Sequence, residues 1–309
     1  MQQKHLADAV GPKVHYSEMP LIELKNVSKL YGFGDATTLA LEEVSLNIEE
    51  GEFVAIMGPS GCGKSTLMNL IGLLDRPTHG AYMLHDKPVE RLRQNRRAKI
   101  RRDTIGFVFQ FFNLLPRLTV LENVGLPLAY KGMSSRKRIK MATNMLERVG
   151  MTGREFYYPR HLSGGQAQCV AIARALVNSP KIIIADEPTG NLDSAGSRLV
   201  MELLSEIHKT GNTILFVTHN PELTRYATRV VYMHDGSVVH DEHTAIGEIA
   251  ATARDAMYRL PTKTEEDDLA GVSTLMKNMT DLDEKTAKAK SSKKRAKRSI
   301  KKRAVRGRK

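Results

Sequence analysis

A short glycine-rich run, GPSGCGKS at residues 58–65, constrains this chain more than any other feature. It follows the strand-like EGEFVAIM and precedes STLMNLIGLL, whose length and composition predict a helix. Glycine, four residues, then Gly-Lys-Ser between a strand and a helix is the pattern of a phosphate cradle. Gly58, Gly61 and Gly63 let the backbone curl until its N–H groups point at phosphate oxygens, and the helix behind presents its partly positive end. Lys64 is placed to meet the β- and γ-phosphates, and the Ser65 hydroxyl to bind Mg2+. Pro59, Ser60, Cys62 and Thr66 complete the loop, Cys62 as a tolerated small residue.

The alternation of elements around that loop sets the fold class. LIELKNVSKLYG, from Leu21, alternates like a strand, and LALEEVSLNIEEGEFVAIMG supplies further short strands. Apolar periodicity in VLENVGLPLAY, KMATNMLERVG and QAQCVAIARALV predicts a mainly helical block from about Thr119 to Val177. Strands return in KIIIADEP and TILFVTH, separated by the amphipathic MELLSEIHKTG, and RVVYMHDGSVVHDE reads as a hairpin around Asp235-Gly236. Buried strands alternating with helices imply an α/β fold with a largely parallel sheet covered on both faces. The helical block then reads as an inserted subdomain, and RLRQNRRAKIRR at 91–102 as an exposed helical face.

Composition narrows the classes. The chain has 309 residues, 41% of them hydrophobic, enough for one large α/β domain with extensions or two small domains. A formal net charge of +13 would suggest nucleic acid or an anionic surface if it were spread evenly. It is not spread evenly: 14 of the 47 Lys and Arg fall in residues 285–309, where there is no acid, which leaves 33 bases against 34 acids elsewhere. This tail is expected to be disordered when alone and to bind an anionic membrane surface, nucleic acid through counterion release, or nothing specific. It has no aromatic residue for base stacking. Two cysteines, Cys62 and Cys169, fit a reducing compartment. The first twenty residues lack the pattern of a secretory signal, and no run of about 18 apolar residues occurs, so any membrane role is expected from the surface.

Hydrolysis needs more than a cradle: a carboxylate for the metal and a group to orient the attacking water, best placed at the end of a neighbouring buried strand. KIIIADE ends in Asp186, expected to hold Mg2+, and Glu187, which faces differently and is expected to polarise the water. TILFVTH brings His219 to the γ-phosphate, or to Glu187 and its water. GFVFQ ends in Gln110, a neutral ligand for Mg2+ or the water that would sense the γ-phosphate. Tyr31 is a candidate to stack on adenine. LSGGQ at 162–166 opens the helix QAQCVAIARAL, so Ser163, Gly164, Gly165 and Gln166 form a second anion-binding helix start. One phosphate loop cannot use both.

In this order the loop at 58–65, Gln110, LSGGQ, IIIADE, the NLD turn at 191–193 and His219 resemble the ABC ATPase family, over roughly residues 21–242. The resemblance implies a P-loop NTPase fold with a RecA-like parallel-sheet core, an antiparallel β subdomain and a helical subdomain inserted over about 112–178. An N-terminal extension (1–20) would precede it, and a variable extension (243–284) would separate it from the basic tail. The resemblance also implies ATP and Mg2+ as ligands, and a homodimer in which LSGGQ caps the γ-phosphate of ATP held by the other subunit. Asp193 would lie across the dimer axis. An integral membrane permease, encoded separately, would dock on the segment after Gln110 and the helical block, which puts the chain at the cytoplasmic face of the membrane. GFVFQFFNLLPRLTVLENVGLPL and ADEPTGNLD resemble the subgroup serving macrolide exporters, lipoprotein-releasing systems and FtsE-like division ATPases. Envelope remodelling is therefore a rival to transport, and action on the ribosome or nucleic acid as a soluble protein a further one. The chain departs from the family once: QAQC stands where Gln-Gln-Gln-Arg is usual, so Cys169 takes the place of an arginine.

Overall fold

The computed structural model describes residues 19–32 and 37–243. Most of the expected 1–20 extension, all but the first residue of the expected 243–284 extension, and the basic tail at 285–309 lie outside the described residues. Those described divide into two compact units: residues up to Lys29 with those from Ala40 onward, and residues 30–32 with 37–39.

Chain order begins β1 (Ile22–Tyr31), β2 (Thr38–Ile48), β3 (Phe53–Met57), α1 (Lys64–Ile71), β4 (His79–Leu84), β5 (Lys87–Pro88), α2 (Gln94–Thr104) and β6 (Ile105–Phe109). Helices α3 (Val120–Tyr130), α4 (Ser135–Arg148) and α5 (Gly164–Leu176) follow. The remainder is β7 (Ile182–Asp186), α6 (Ser194–Lys209), β8 (Thr213–Val217), β9 (Arg229–His234) and β10 (Ser237–His243).

The runs FVAIM, IIIA and TILFV have no polar face, and they are buried throughout. They form the middle of a six-stranded sheet of order β10-β9-β3-β8-β7-β6, parallel except for β10, which returns antiparallel to β9 at one edge. Successive side chains of a strand point to opposite faces. Phe53, Ala55 and Met57 of β3 therefore join one core, and Val54 and Ile56 the other. The first core takes in α3 to α6, so Val120, Val124, Leu146 and Ile172 of the helical block pack in the same cluster as the sheet. The second takes in α1 and strands β1, β2 and β4 of a four-stranded sheet of order β2-β1-β4-β5.

Register decides where chemistry can gather. Ile56, Val217, Asp186 and Phe109 lie on one row across β3, β8, β7 and β6. The residues after that row are Met57, Thr218, Glu187 and Gln110, so four loops leave the sheet at one level on its carboxyl edge, where α/β sheets bind ligands.

The basic run at 91–102 enters a helix and exposes Arg91, Arg93, Arg96 and Lys99, as expected, but two of its cations turn inward. Arg97 is buried, and its guanidinium donates to the carbonyls of Asp75 at 3.1 Å and Leu74 at 3.2 Å, while that of Arg101 donates to the carbonyl of Leu73 at 2.9 Å. Those carbonyls lie just past α1, so two cations of α2 sit at the negative end of the helix that follows the glycine-rich loop.

Candidate functional site

Residues 58–63 join β3 to α1. Gly58, Gly61 and Gly63 have φ of +149°, +84° and +97°. A Cβ at Gly58 would stand 2.1 Å from the carbonyl oxygen of Met233, and one at Gly63 would stand 2.5 Å from that of Ala40. Backbone conformation and space both require glycine there. The turn between β9 and β10 braces the loop: the Gly236 N–H donates to the Cys62 carbonyl at 3.1 Å, and the Gly236 carbonyl accepts from the Glu42 N–H at 2.9 Å. Helix α1 starts with no side-chain cap and no acid in its first turn, so no side chain of its own occupies its leading N–H groups. Lys64 is buried, its Nζ donating to the carbonyls of Gly58 at 2.8 Å and Pro59 at 2.7 Å. Pro59, Ser60, Gly61 and Ser65 are exposed and Thr66 is half-buried. Cys62 is instead packed behind the loop, its Sγ 3.7 Å from Lys64 Nζ, and burial pushes its thiol up.

Asp186 closes β7. Burial, then the charge of Glu187, hold its carboxyl above the ordinary carboxylate value, with Lys64 opposing them. A carboxylate disfavoured in this way gains from a cation. The Ser65 hydroxyl, the Asp186 carboxylate and the Gln110 amide oxygen are hard donors that fit Mg2+, which takes one or two carboxylates together with substrate phosphates. A cluster of three His, Cys, Asp or Glu suited to a metal does not occur among the described residues, as such a donor set requires none.

Glu187 has φ +46°, a left-handed conformation that costs a non-glycine residue about 1–3 kcal/mol. Its N–H donates to the Val217 carbonyl at 3.2 Å and its carbonyl accepts from the Gly190 N–H at 3.1 Å. The turn brings its Oε1 to 2.9 Å from His219 Nδ1. Strand β8 stops at Val217, two residues short of His219, and the His219 side chain is 70% exposed against 18% for Glu187. Gln110 lies over Gly190, where a Cβ would stand 2.8 Å from its Nε2, and its carbonyl accepts from Asn191 Nδ2 at 3.1 Å.

Ser163 caps α5. Its Oγ accepts from the Gln166 N–H at 3.3 Å, and Gln166 Oε1 accepts from the Ser163 N–H at 3.1 Å. The N–H groups of Gly164 and Gly165 begin the helix and so have no intrahelical partner. Ser163 and Gly164 are exposed, while Gly165 is buried, with Gly196 Cα 3.3 Å from where its Cβ would be. Asp193, exposed, caps α6 by accepting from the Gly196 N–H at 2.8 Å. Tyr31 belongs to the other compact unit, where its ring is exposed.

Two residues outside the sequence expectations hold this arrangement. Gln168 of α5 is fully buried, and its Nε2 donates to the carbonyls of Pro188 at 2.8 Å and Phe109 at 3.3 Å. Arg174, from the same helix, donates to the carbonyl of Phe112 at 2.8 Å and to that of Asn113. Both receiving residues have positive φ, so the arginine pins a strained turn just after Gln110. Polar residues inside the apolar stretch QAQCVAIARAL were the available signal. Cys169 packs in the core beside them, where burial pushes its thiol up to about 11, so it stays neutral at physiological pH.

The family model for ABC transporters matches residues 41–190. An uncharacterized ABC transporter ATP-binding protein of Methanocaldococcus jannaschii is 52% identical over 219 residues, 71% of this chain and 98% of that one. The chain belongs to the ABC transporter ATP-binding proteins. It is an ATPase of that family. Among solved structures, this cassette is similar to the ATP-binding cassette MJ0796 of the same organism, a dimer in a post-hydrolysis state bound to ADP and Pi. That likeness has a TM-score of 0.67 at 48% identity and covers 72% of this chain and 98% of the other. The cassette is also 47% identical over 245 residues to the macrolide export ATP-binding/permease protein MacB of Hyphomonas neptunium, of which it spans 37%. No helix among its described residues is long and apolar enough to cross a membrane.

Proposed function

We propose that the cassette is the ATP-hydrolysing subunit of an exporter of the macrolide-export or lipoprotein-release type, driving a permease carried on a separate chain at the cytoplasmic face of the membrane. Two copies close with ATP between them, the cradle at 58–66 of one meeting Ser163, Gly164, Gly165 and Gln166 of the other, and with Asp193 at the axis. The observation that carries this reading is the pair of glycine-rich helix starts in one chain, one at the carboxyl edge of the sheet and one at the start of α5, each with exposed residues at its mouth. A single phosphate group cannot fill both, and a two-fold interface lets the second serve its partner's ligand.

Held by Ser65, Asp186 and Gln110, Mg2+ would supply positive charge to the β- and γ-phosphate oxygens. Lys64 adds an ammonium at the same oxygens, and the N–H groups at the start of α1 stabilise charge that builds on the leaving phosphate. Glu187, its carboxylate steered by His219, polarises the attacking water. Moving such a pair from mostly open to mostly closed takes about 5.5 kcal/mol of differential affinity. Two γ-phosphates, each capped in trans, are a sufficient source, and their loss on hydrolysis reopens the pair.

A seat for the permease on the segment after Gln110 and the helical block is supported by a cavity of about 930 Å³ lined by Phe107, Phe109, Leu126, Pro127, Tyr130 and Arg174 among others. Its wall at Phe109 is one residue from Gln110, so a shift of a docked helix reaches a γ-phosphate contact directly. Relatives that join this cassette to a permease, such as MacB, support the export assignment.

Glu187→Gln tests the reading. With ATP and Mg2+ the variant should double in mass by light scattering and stay paired, while ADP leaves it single. Turnover should fall at least about 100-fold. Undiminished hydrolysis would remove Glu187 from its role.

A further inference from the structure

We infer that Gln168 is a positioning residue for hydrolysis, the joint through which the helix that caps the partner's nucleotide sets Glu187 and Gln110 in their own site. The inference rests on the roles proposed above for those two residues. Gln168 sits one turn and a half into α5, on the helix that Ser163 opens. Its single amide nitrogen is shared by two carbonyls: that of Pro188, the residue after Glu187, and that of Phe109, the residue before Gln110. Both partners are acceptors only, so the amide orientation is fixed; turned over, it would set oxygen against oxygen twice. The segments it ties are separated by 59 and 20 residues of sequence from Gln168 itself. They meet at this one side chain.

The other half of the amide argues against a filling role. Gln168 is fully buried, and its Oε1 accepts from no group among the described residues. A buried, unpaired carbonyl is a cost that an apolar side chain of the same shape avoids. Methionine has nearly the same length and volume and would fill the space, removing that cost while leaving the Pro188 carbonyl without the donor that Gln168 supplies, so the two effects on stability oppose one another. The two donated bonds do what methionine cannot: they hold the left-handed Glu187 turn and the end of β6 at a fixed distance from α5. When α5 shifts on meeting a nucleotide, the carboxylate and the γ-phosphate sensor shift with it.

The test is Gln168→Met in the full chain. ATPase kcat should fall roughly 10- to 100-fold, the scale for groups that orient ligating and catalytic side chains, while KM for ATP changes less than about threefold. The thermal midpoint should shift by no more than a few degrees, since the carbonyls that lose their donor offset the buried Oε1 that is removed. ATP-driven pairing, read in the Glu187→Gln background, should persist. A kcat within twofold of wild type would overturn the inference, as would parallel losses in kcat, KM and thermal midpoint. Gln168→Glu keeps the test open if the methionine variant does not fold: a protonated acid can donate one of the two bonds. Its kcat relative to wild type at the same pH should rise as pH is lowered, and a flat ratio would contradict the role. Glu187→Gln measured alongside separates the two claims. If that variant is inactive and Gln168→Met is normal, only the joint is wrong; if Glu187→Gln turns over normally, the site assignment itself has failed.

Discussion

Helices α1 and α5 both begin on glycines and both offer leading N–H groups, yet the structure closes them differently. At α1 the walls are backbone: the carbonyl oxygens of Met233 and Ala40 stand where side chains of Gly58 and Gly63 would be, and no side-chain oxygen caps the helix. At α5 the wall at the exposed glycine is a side chain: the nearest atom to a Cβ at Gly164 is Leu192 Cδ2 at 3.0 Å, and Ser163 and Gln166 cap one another. The first start is preformed for a phosphate held within its own chain. The second has a cap closed within its own chain, while the leading Gly164 and Gly165 N–H groups have no intrahelical partner and Ser163 and Gly164 are exposed, which suits a surface that meets its ligand when another copy arrives.

Substitutions can break that contrast, and the largest effect is on nucleotide affinity. Lys64→Ala should weaken ATP binding in a calorimetric titration by at least about 10- to 100-fold, the worth of one charge-assisted contact. Ser163→Ala should leave affinity for the single chain unchanged while cutting turnover by a similar factor. Equal loss of affinity in both would erase the distinction between cradle and lid. Smaller effects sharpen it on stability. Gly63→Ala, forced into a left-handed conformation against a carbonyl, should cost about 2–5 kcal/mol in chemical denaturation. Gly164→Ala, which meets only the end of a leucine, should cost less than about 1 kcal/mol. The cap itself lies between these two: Ser163→Ala should lose about 1 kcal/mol, seen as a thermal midpoint lower by about 2–4 °C.

The strand, glycine-rich loop and helix at 53–71 were legible in the sequence because their conformation is set locally. Eight consecutive residues between a strand and a helix carry the curl, the ammonium and the hydroxyl, and each apolar run such as FVAIM or TILFV announces a strand buried on both sides. Asp186, Glu187 and Gln110 could be placed at strand ends for the same reason. Their shared level could not, since it comes from the register of four strands whose order in the sheet is not their order in the chain. Gln168, Arg174, Arg97 and Arg101 escaped because each bonds to backbone carbonyls, which have no sequence identity, at separations of 20 to 62 residues. Cys62 looked like a small loop residue because nothing in GPSGCGKS reveals that the turn at Gly236 covers it.

The claim beneath this account is that one nucleotide is held by two chains, and mixing two crippled variants tests it most directly. Lys64→Ala has no cradle but an intact lid, and Ser163→Ala has the reverse. Mixed in equal amounts with ATP and Mg2+, random pairing makes about half the dimers mixed, each with one complete composite site, so turnover should recover to roughly a quarter of wild type if the sites act independently. Turnover that never exceeds the average of the two variants measured apart would contradict a site shared between chains.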